Sequence, residues 1–475
     1  MFARIITRSL SRIPTKSGLF VRCLTPMQIA PSAPTQFIQK MNMSSAKTLT
    51  QDGPIGQIDE MISSIYDHIK NSSPENYTEE EKNNKVLKPR TLSESYRKFL
   101  IPLSTDNEKR EKYLSASRNV RMGKILEDID HMAVHIGYVH NSEDGTIESR
   151  MSLPRNIVTA SVHRIDFHKE DLNPNRDLII DGQVTYAGTS SMQISIRLFQ
   201  NDDNQNLQLL LKANFIMVAR DPLDATKKIR IHGLVAKTPD EAETVNLTKE
   251  HLIRMGNKDE KKATNDELRL IDNLHRTLLG RNMSNEFPIL KDEEIWMHKT
   301  HLSLTEICFP EFQNMYGKIF GGFLMRKALE LAYVNAKLFC KGKVSIRSMD
   351  QIQFAKPVEI GNILHFDSYV TYNQGDLLQL KVVASISDEA KFKEIAKTKV
   401  PSMGQEARLI TNVFHFTMQS VENKEIMKVL PKHYNHTGMY IAGRRHLLNT
   451  LKRTVSLTPR HSSRHISPTE KVAHQ

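Results

Sequence analysis

The sequence predicts an α+β fold in which a long helix is wrapped by a curled antiparallel sheet, and it predicts this arrangement twice. Two stretches, 157–200 and 344–385, alternate apolar and polar residues and are rich in Val, Ile, Thr, Phe and Tyr, which is typical of half-buried antiparallel strands. A helix candidate precedes each of them, at 122–140 and 316–336. A helix wrapped by a sheet lets both elements bury their apolar faces, so this architecture explains both observations.

The two strand-rich stretches form a weak internal repeat. The tripeptide IDF at Ile165 matches IQF at Ile352, and VTY at Val184 matches VTY at Val370. Each copy ends in a further strand-like run, at 213–221 and at 411–419. The repeating unit is therefore a helix followed by a meander of four or five strands.

The repeat divides the chain into domains and connecting segments. We expect the first domain at 91–221 and the second at 289–420, joined by a charged linker at 222–288 with a helix near 265–281. The flanking segments are a polar, partly helical extension at 51–90 and a C-terminal extension at 421–475, which we expect to be a disordered basic tail from about residue 442 because it is rich in Ser, Thr, His and Arg.

Composition excludes several classes of protein. The 475 residues are 39% apolar, which is enough for packed cores, but no apolar run approaches the roughly 20 residues that a membrane span needs. We therefore expect no membrane span. The three cysteines, Cys23, Cys308 and Cys340, form no CxxC pair, so a zinc-ribbon site is not predicted and a reducing compartment is favoured.

The net charge of +12 is concentrated at the two ends of the chain. Residues 1–50 contain seven Lys or Arg and no acidic residue, and residues 442–475 contain seven Lys or Arg against a single Glu470. The body between them is nearly neutral and lacks the electrostatic footprint of a polyphosphate partner. No nucleic-acid partner is predicted, although an RNA-associated scaffold that uses the basic tails stays open as an alternative.

The N-terminal segment has the pattern of a mitochondrial transit peptide. Its cations recur at every fourth position from Arg4 to Lys16, so a helix would place them on one face and apolar residues on most of the other. Acid-free, Arg- and Ser-containing amphipathic segments are typical of such peptides. We assign residues 1–50 to a transit peptide, cleaved between about Arg22 and Lys47, and expect location in the mitochondrial matrix; a disordered basic tail is the alternative.

The ordered set of motifs resembles the double hotdog acyl-coenzyme A thioesterases, in particular the mitochondrial thioesterase 9 type, over roughly residues 90–440. The matching segments are LEDID at 126–130, FIMVARD at 215–221, IFGGFLMR at 319–326, KPVE at 356–359 and TNVFHFT at 411–417. The resemblance implies two hotdog domains that pack sheet edge to sheet edge into a pseudo-dimer and assemble further into a homo-oligomer. It also implies hydrolysis of acyl-CoA to free fatty acid and coenzyme A, with acyl-CoA as the partner and without a cofactor or a metal.

The second helix candidate opens with two residues that weaken helices, Gly321 and Gly322. Each glycine costs roughly 1 kcal/mol against alanine inside a helix, so something is expected to come close to the backbone there. A helix N-terminus presents unpaired N–H groups and a partial positive charge, which suit an oxyanion. We expect the thioester carbonyl to approach these glycines; tight packing of the helix is the alternative.

The resemblance also places the general base and its helper. The family takes a carboxylate from about two turns into the helix of one unit and a polar residue from just before the FGG of the other, which puts Asp130 as the base towards water and Asn314 as the residue that orients the water or the carbonyl. The second composite site would pair Glu330 with Ser115. Serine replaces that amide poorly, and the sequence around Gly123 lacks the glycine pair, so one productive site per chain is expected. Asp130 and Glu330 could instead be ordinary carboxylates on solvated helix faces.

Coenzyme A also requires cations for its phosphates, and Arg220, Arg326 and Lys356 are the candidates. Phe312 is a departure from the family pattern, since some relatives have an aspartate there. A serine-nucleophile hydrolase is disfavoured because no GxSxG motif occurs.

Alternatives to a thioesterase stay open at this point. His131 and His135 are four residues apart, but HExxH is absent and no metal site is predicted. Asp130 with His135 is the candidate pair for a hotdog hydratase or dehydratase. The degenerate first unit would also suit a non-catalytic protein that binds or senses acyl-CoA.

Overall fold

A computed structural model provides the structure of this chain. The residues that it describes are 55–71, 77–78, 85–168, 172–224, 226–256, 263–279, 290–314, 317–354, 356–388, 407–422 and 426–457. The predicted transit peptide at 1–50 and the last part of the predicted basic tail, from residue 458, lie outside them. Among the helices in these ranges, none combines the length and the apolar character that crossing a membrane requires.

The described residues form helices and strands in an order that follows the predicted repeat. The helices are α1 (Ile58–Asn71), α2 (Asn107–Tyr113), α3 (Met122–Asn141), α4 (Pro239–Gly256), α5 (Asn265–Leu279), α6 (Gly321–Cys340) and α7 (Tyr434–Leu457). The strands are β1 (Gly56–Gln57), β2 (Arg90–Thr91), β3 (Arg97–Ile101), β4 (Asn156–Val162), β5 (Ile165–Phe167), β6 (Leu178–Ala187), β7 (Ser191–Asn201), β8 (Leu207–Arg220), β9 (Leu234–Val235), β10 (Glu294–Trp296), β11 (Leu302–Ile307), β12 (Val344–Met349), β13 (Ile352–Gln353), β14 (Ile363–Gln374), β15 (Leu377–Ser387), β16 (Arg408–Ser420) and β17 (Lys428–Leu430).

The long strands belong to one mixed α/β arrangement with a large sheet. Its main path runs β1-β3-β6-β7-β8-β5-β12-β16-β15-β14-β11, and all neighbours after β3 are antiparallel. The strands of the first copy meet those of the second along β5 and β12, where Ile165 lies opposite Met349. A second crossing joins β4 to β13, with Val162 opposite Ile352. The strands of the two copies of the repeat thus form one continuous sheet.

Helices α3 and α6 each pack on the strands of their own copy, and they also contact each other. Their apolar positions, such as Ile129 on α3 and Ala328 on α6, are fully buried in the common core. Helix α3 is covered on its remaining side by α1, whereas α6 leaves Val334 and Leu338 exposed. The two central helices therefore cross inside the molecule, and their N-termini are brought to the interface between the copies.

A shared irregularity fixes which residues of the two copies are equivalent. In β4 the pairing register shifts between Thr159 and Ser161, and in β12 it shifts between Ile346 and Ser348. Thr159 and Ile346 lie equally far before the IDF and IQF tripeptides of the repeat. The bulges therefore make Thr159 and Ile346 structural counterparts.

Two segments differ from the sequence predictions. The linker contains two helices, α4 and α5, where one was expected. The tail expected to be disordered from about residue 442 is wrong as far as Leu457, because α7 packs on β14, β15 and β16. Ile441 and Leu447 are buried there, and a Cβ on Gly443 would lie 2.5 Å from the hydroxyl oxygen of Thr371, so the helix backbone rests directly on the sheet.

Candidate active site

Asp130 lies on α3 and points at the N-terminus of α6. Its Oδ2 accepts a hydrogen bond from the backbone N–H of Gly322 at 2.7 Å, and its Oδ1 accepts one from the Thr159 hydroxyl at 2.8 Å. The side chain is 1% exposed. A carboxylate, a helix N-terminus and a strand hydroxyl from three different elements therefore converge at one buried position.

The glycines at the start of α6 are explained by the close approach of α3. A Cβ on Gly322 would lie 2.9 Å from both the Asp130 Cβ and the Glu127 Cα, which real Cβ atoms essentially never do. A Cβ on Gly321 would lie 3.1 Å from the ring of Phe354. We expected the thioester to approach these amides, but the Gly322 N–H is taken by a protein carboxylate. The positive end of the helix dipole favours that negative charge.

The surroundings of Asp130 favour a carboxylate that can take up a proton. Burial raises the pKa of Asp130, and this effect outweighs the Thr159 hydroxyl, the neighbouring His131 and the Gly322 N–H, which all act to lower it. Burial also lowers the pKa of His131, whose ring packs edge-on against Phe320. A buried carboxyl group with a raised pKa, held by neutral donors, is suited to general-base chemistry.

Asn314 lies in the turn that leads into α6. Its side-chain oxygen accepts the backbone N–H of Lys318 at 3.1 Å, and its carbonyl accepts the N–H of Gly317, which has a positive φ of 63°. These contacts belong to the turn rather than to Asp130. The structure thus places Asn314 a few residues before the helix N-terminus, and its role in orienting water stays a prediction.

Glu330 lies on α6 and its carboxylate reaches the N-terminus of α3; it is the tenth residue of its helix, whereas Asp130 is the ninth residue of α3, and its partners differ. Its Oε1 accepts from the Arg121 guanidinium at 2.7 Å and from Arg326 Nε at 3.3 Å. The Glu330 side chain is 32% exposed. Ile346, the counterpart of Thr159, offers no hydroxyl. Glu330 is therefore an ion-paired carboxylate without the neutral donors that surround Asp130.

The three cations predicted to bind the substrate differ in their surroundings. Arg326 Nη1 lies 3.0 Å from Glu127 Oε2, so its guanidinium is engaged between α3 and α6 rather than presented to a phosphate. Arg220 donates to the carbonyl of Thr226 at the end of β8. Lys356 is exposed and lies two residues after Phe354, the residue that packs on Gly321. Of the three, Lys356 is the one that is exposed to solvent.

Phe312, the departure from the family pattern, forms part of the apolar wall beside the α6 N-terminus. Its ring stacks on Phe323 with centroids 4.3 Å apart, and its carbonyl accepts the N–H of Phe320, the residue before the helix. Phe312 and Phe323 thus form an aromatic surface beside the start of α6, at the position where some relatives have an aspartate.

His135 faces away from Asp130. Its Nδ1 lies 3.4 Å from the Ser64 hydroxyl of α1 and its ring packs against Phe99 of β3. Burial, which acts together with the nearby cation Arg97, lowers its pKa to about 3. The Asp/His pair that a hydratase would use is not assembled by these two side chains. Within the described part of the chain, no group of three or more His, Cys, Asp or Glu side chains is arranged to hold a metal ion.

Sequence reasoning missed Thr159 and Glu127 as parts of this site. Thr159 belongs to a strand bulge 29 residues after Asp130, and no local motif marks it. Glu127 lies in the LEDID segment but was not assigned a contact. A search of the repeat for positions where only one copy carries a hydroxyl would have found Thr159.

Taken together, the buried carboxylate at a helix N-terminus between two related units defines a candidate hydrolase that activates water. No protein-family model matches the sequence. Mitochondrial acyl-coenzyme A thioesterase 9 from Mus musculus is 34% identical over 389 residues, which cover 80% of this chain and 84% of that protein. The Homo sapiens thioesterase 9 is 34% identical over 371 residues, or 76% of this chain and 78% of that protein.

These relatives extend across both copies of the repeat, and the chain belongs to the mitochondrial acyl-coenzyme A thioesterase 9 family. Among solved structures, an acyl-ACP thioesterase from Bacteroides thetaiotaomicron covers 69% of this chain and 99% of its own, at 8% identity and a TM-score of 0.39. The family assignment therefore comes from the sequence relatives.

Proposed function

We propose that this chain is a mitochondrial thioesterase that hydrolyses acyl-CoA to free fatty acid and coenzyme A. The relatives that define the family carry the names of mitochondrial acyl-CoA thioesterases. The observation that carries the proposal is the buried Asp130 carboxylate, bonded to the Gly322 N–H and the Thr159 hydroxyl. The matrix is the proposed compartment, on the basis of the transit-peptide pattern in residues 1–50.

In the proposed mechanism, Asp130 acts in its ionised form as the general base. It takes a proton from a water molecule whose oxygen attacks the thioester carbonyl carbon. The Gly322 N–H is occupied by Asp130, so the negative charge that develops on the carbonyl oxygen is proposed to lie near the N-terminus of α6, where the helix dipole stabilises it. When the tetrahedral intermediate collapses, the carbon–sulfur bond breaks and the proton on Asp130 passes to the departing thiolate. Fatty acid and the free thiol of coenzyme A are the products.

The other site residues are assigned supporting roles. Thr159 fixes the orientation of the Asp130 carboxylate through its hydroxyl. Asn314, in the turn before α6, is proposed to orient the water or the carbonyl. Lys356 is the favoured cation for the phosphates of coenzyme A, because it is exposed and follows Phe354, whose ring lies against Gly321, by two residues; Arg220 is a further candidate.

We further propose that 91–221 and 289–420 are two hotdog domains of a pseudo-dimer, with one productive site per chain, and that the chain forms homo-oligomers. The sheet that continues through β5 and β12 supports the pairing of the domains. The contrast between Asp130, held by neutral donors, and Glu330, held by Arg121, supports a single productive site. The segments 51–90, 222–288 and 421–475 are extensions and a linker around these domains.

Release of thiol from acyl-CoAs tests the function. The full-length protein is incubated with acyl-CoAs of increasing chain length, beside Asp130→Asn and the matched variant Glu330→Gln. We expect steady thiol release that falls by about 10²- to 10⁴-fold in Asp130→Asn, as for the loss of a general base, and changes little in Glu330→Gln. Loss confined to Glu330→Gln would mean that the other half carries the reaction.

The same incubation separates the alternatives. Tight binding of acyl-CoA without any thiol release would identify a binding or sensing protein. Conversion of an unsaturated acyl-CoA to a hydroxyacyl-CoA without release of thiol would identify a hydratase. Either result would overturn the proposed hydrolysis.

A further inference from the structure

One ion pair connects the two central helices beside the candidate base. Glu127 Oε2 on α3 lies 3.0 Å from Arg326 Nη1 on α6, and the two side chains are 11% and 21% exposed. Glu127 precedes Asp130 by one helical turn, and Arg326 follows Gly322 by one turn. The ion pair and the Asp130–Gly322 hydrogen bond therefore join the same two helices at adjacent turns.

The backbone of Glu127 takes part in the same contact. A Cβ on Gly322 would lie 2.9 Å from the Glu127 Cα, so the two helices touch at this point while the Glu127 carboxylate reaches onward to Arg326. Burial acts to raise the pKa of Glu127, but the adjacent cations Lys124 and Arg326 outweigh it and the net shift is downward. Glu127 is thus a stable anion, and its pair with Arg326 is largely shielded from solvent.

The two residues of this ion pair occupy equivalent positions in the two copies of the repeat. Helix α3 begins at Met122 and α6 begins at Gly321, so Glu127 and Arg326 are both the sixth residue of their helix. Where two identical units meet across a two-fold axis, equivalent positions carry identical residues. A duplicated chain can instead place a carboxylate opposite a guanidinium and gain an attraction at the helix crossing.

We propose that Arg326 is a positioning residue: through Glu127 it holds α3 against the N-terminus of α6, and it thereby keeps the Asp130 carboxylate on the Gly322 N–H. This inference rests on the proposed function. Arg326 then acts on the rate of the chemical step and does not bind the phosphates of coenzyme A. A displacement of about 1 Å at a reacting group can cost on the order of 10²-fold in rate, so the register of the two helices matters for catalysis.

The test compares Arg326→Met with Lys327→Met. Lys327 is the next residue of α6, its side chain is 23% exposed, and it forms an ion pair with Glu306 of β11 at 2.7 Å instead of with α3. Both variants therefore lose one cation from the same helix; Lys327→Met loses the pair with Glu306, whereas Arg326→Met loses the pair with Glu127 and the 3.3 Å contact with Glu330 on its own helix. Lys327 lies outside the proposed machinery, so Lys327→Met should keep the activity of the wild-type protein.

Two substrates separate positioning from phosphate binding. Each variant is assayed with an acyl-CoA and with the same acyl group on N-acetylcysteamine, a thioester without phosphates. We expect Arg326→Met to lower kcat about 10-fold on both substrates and to change the KM for acyl-CoA by less than about 2-fold, because an interaction that serves the chemical step affects kcat. A raised KM for acyl-CoA alone, with unchanged hydrolysis of the small thioester, would overturn the proposal and make Arg326 a phosphate ligand.

A double-mutant cycle tests whether Arg326 acts through Glu127. Both substitutions remove the contact between α3 and α6, and each also removes one contact on its own helix, Glu127 with Lys124 and Arg326 with Glu330. Glu127→Gln should lower kcat about as much as Arg326→Met, and the double variant should lose little more than either, because the contact between the helices is shared. The conservative Arg326→Lys should restore most of kcat. Losses that multiply in the double variant would contradict action through this pair.

Controls distinguish a folding defect, failure of the proposed function and failure of the positioning role. Thermal unfolding of each variant checks folding, and if Arg326→Met does not fold, Arg326→Lys and Glu127→Gln carry the test. Absence of thiol release from the wild-type protein would overturn the proposed function and this inference with it. Turnover in the wild type with wild-type kcat in Arg326→Met would overturn only the positioning role.

Discussion

The N-termini of α3 and α6 are equivalent in the repeat but have different surroundings. At α6 a glycine N–H and a threonine hydroxyl hold Asp130, which is almost completely buried. At α3 the guanidinium of Arg121 holds Glu330, which is about one-third exposed. Both carboxylates come from the helix of the other unit, but their donors differ, and the backbone of the other helix approaches Gly322 more closely than Gly123.

This difference suits a division of roles between the two copies, with proton transfer at one helix N-terminus and an ion pair at the other. A buried carboxylate that receives only neutral donors can still accept a proton from water. A carboxylate next to a guanidinium is held as an ion pair, which contributes to cohesion between helices rather than to proton transfer. We therefore propose that Asp130, which receives no cation, is the usable base and that the ion pair of Glu330 serves to hold the two copies together.

The largest expected contrast is between Gly322→Ala and Gly123→Ala. The Cβ that Gly322→Ala introduces would lie 2.9 Å from the backbone of Glu127, so α3 and α6 would have to separate. We expect kcat for thiol release to fall by about 10²-fold, because Asp130 leaves its position, and the free energy of unfolding to drop by about 1–3 kcal/mol from overpacking. Thiol-release kinetics and denaturant unfolding measure the two effects.

Gly123→Ala is the matched variant at the other helix. There the new Cβ would meet Glu330 Oε1 at 2.9 Å, which is the far end of a flexible side chain, and Arg326 Cγ at 3.1 Å, which would have to give way by a few tenths of an ångström. Activity should fall much less than in Gly322→Ala, because the nearest atoms of α6 belong to side chains and Asp130 keeps its position, and the free energy of unfolding should change by less than about 1 kcal/mol, since the helix preference of alanine offsets the tighter packing. Equal losses in both glycine variants would show that the two N-termini do not differ in function.

A smaller contrast is expected between Thr159→Val and Ile346→Val. Removal of the Thr159 hydroxyl takes one hydrogen bond from the ionised Asp130, so we expect about a 10-fold loss of kcat, in line with the roughly 1.5–3 kcal/mol of a hydrogen bond to a charged group. Because that bond acts to lower the pKa of Asp130, its loss should also move the acid limb of the rate–pH profile to higher pH.

Ile346→Val shortens the counterpart side chain at the other site. It should leave the rate–pH profile in place and cost about 0.5–1.5 kcal/mol of stability through the lost methylene. A rate–pH profile of Thr159→Val that overlays the wild type would contradict the role of its hydroxyl.

The parts of the fold that follow from local periodicity could be predicted from the sequence. Helices α3 and α6 and the strands of the repeat are set by apolar spacing, and the glycine pair at Gly321 correctly indicated a close approach to the backbone. Helix α7 was missed because its Ser, Thr, His and Arg content is typical of disorder. The helix is stabilised by tertiary contacts, such as the close packing of Gly443 on Thr371, and these contacts cannot be inferred from amino-acid composition.

The candidate site was predictable only in part, because its contacts cross between elements. Asp130 could be located through the family resemblance, but its approach to Gly322 becomes visible only when the two helices are packed together. Thr159 is contributed by a bulge whose neighbours carry no motif. Arg326 was predicted from the sequence to bind the phosphates of coenzyme A, and its contact with Glu127 becomes visible only when the two helices are packed together.

The smallest expected contrast concerns stability. Replacement of the Asp130 carboxylate should raise the free energy of unfolding, whereas replacement of the Glu330 carboxylate should lower it. Burial raises the pKa of Asp130 in the folded protein, so the folded state favours the protonated carboxyl and loses stability as pH rises through that pKa. Asp130→Asn removes this cost. The variant should therefore be more stable than wild type by about 1 kcal/mol at pH 8, the usual gain when a strained catalytic group is replaced, and the gain should shrink at pH 5.

Glu330→Gln removes an ion pair with Arg121 in a partly exposed setting, and we expect it to lower stability by about 0–1 kcal/mol at pH 8. Denaturant unfolding of both variants at the two pH values measures the difference. A loss of stability in Asp130→Asn at pH 8 would mean that the ionised carboxylate is stabilised by its two donors more than burial opposes it. In that case the carboxylate would be a structural anion like Glu330, and the distinction between the two helix N-termini would have to come from their exposure alone.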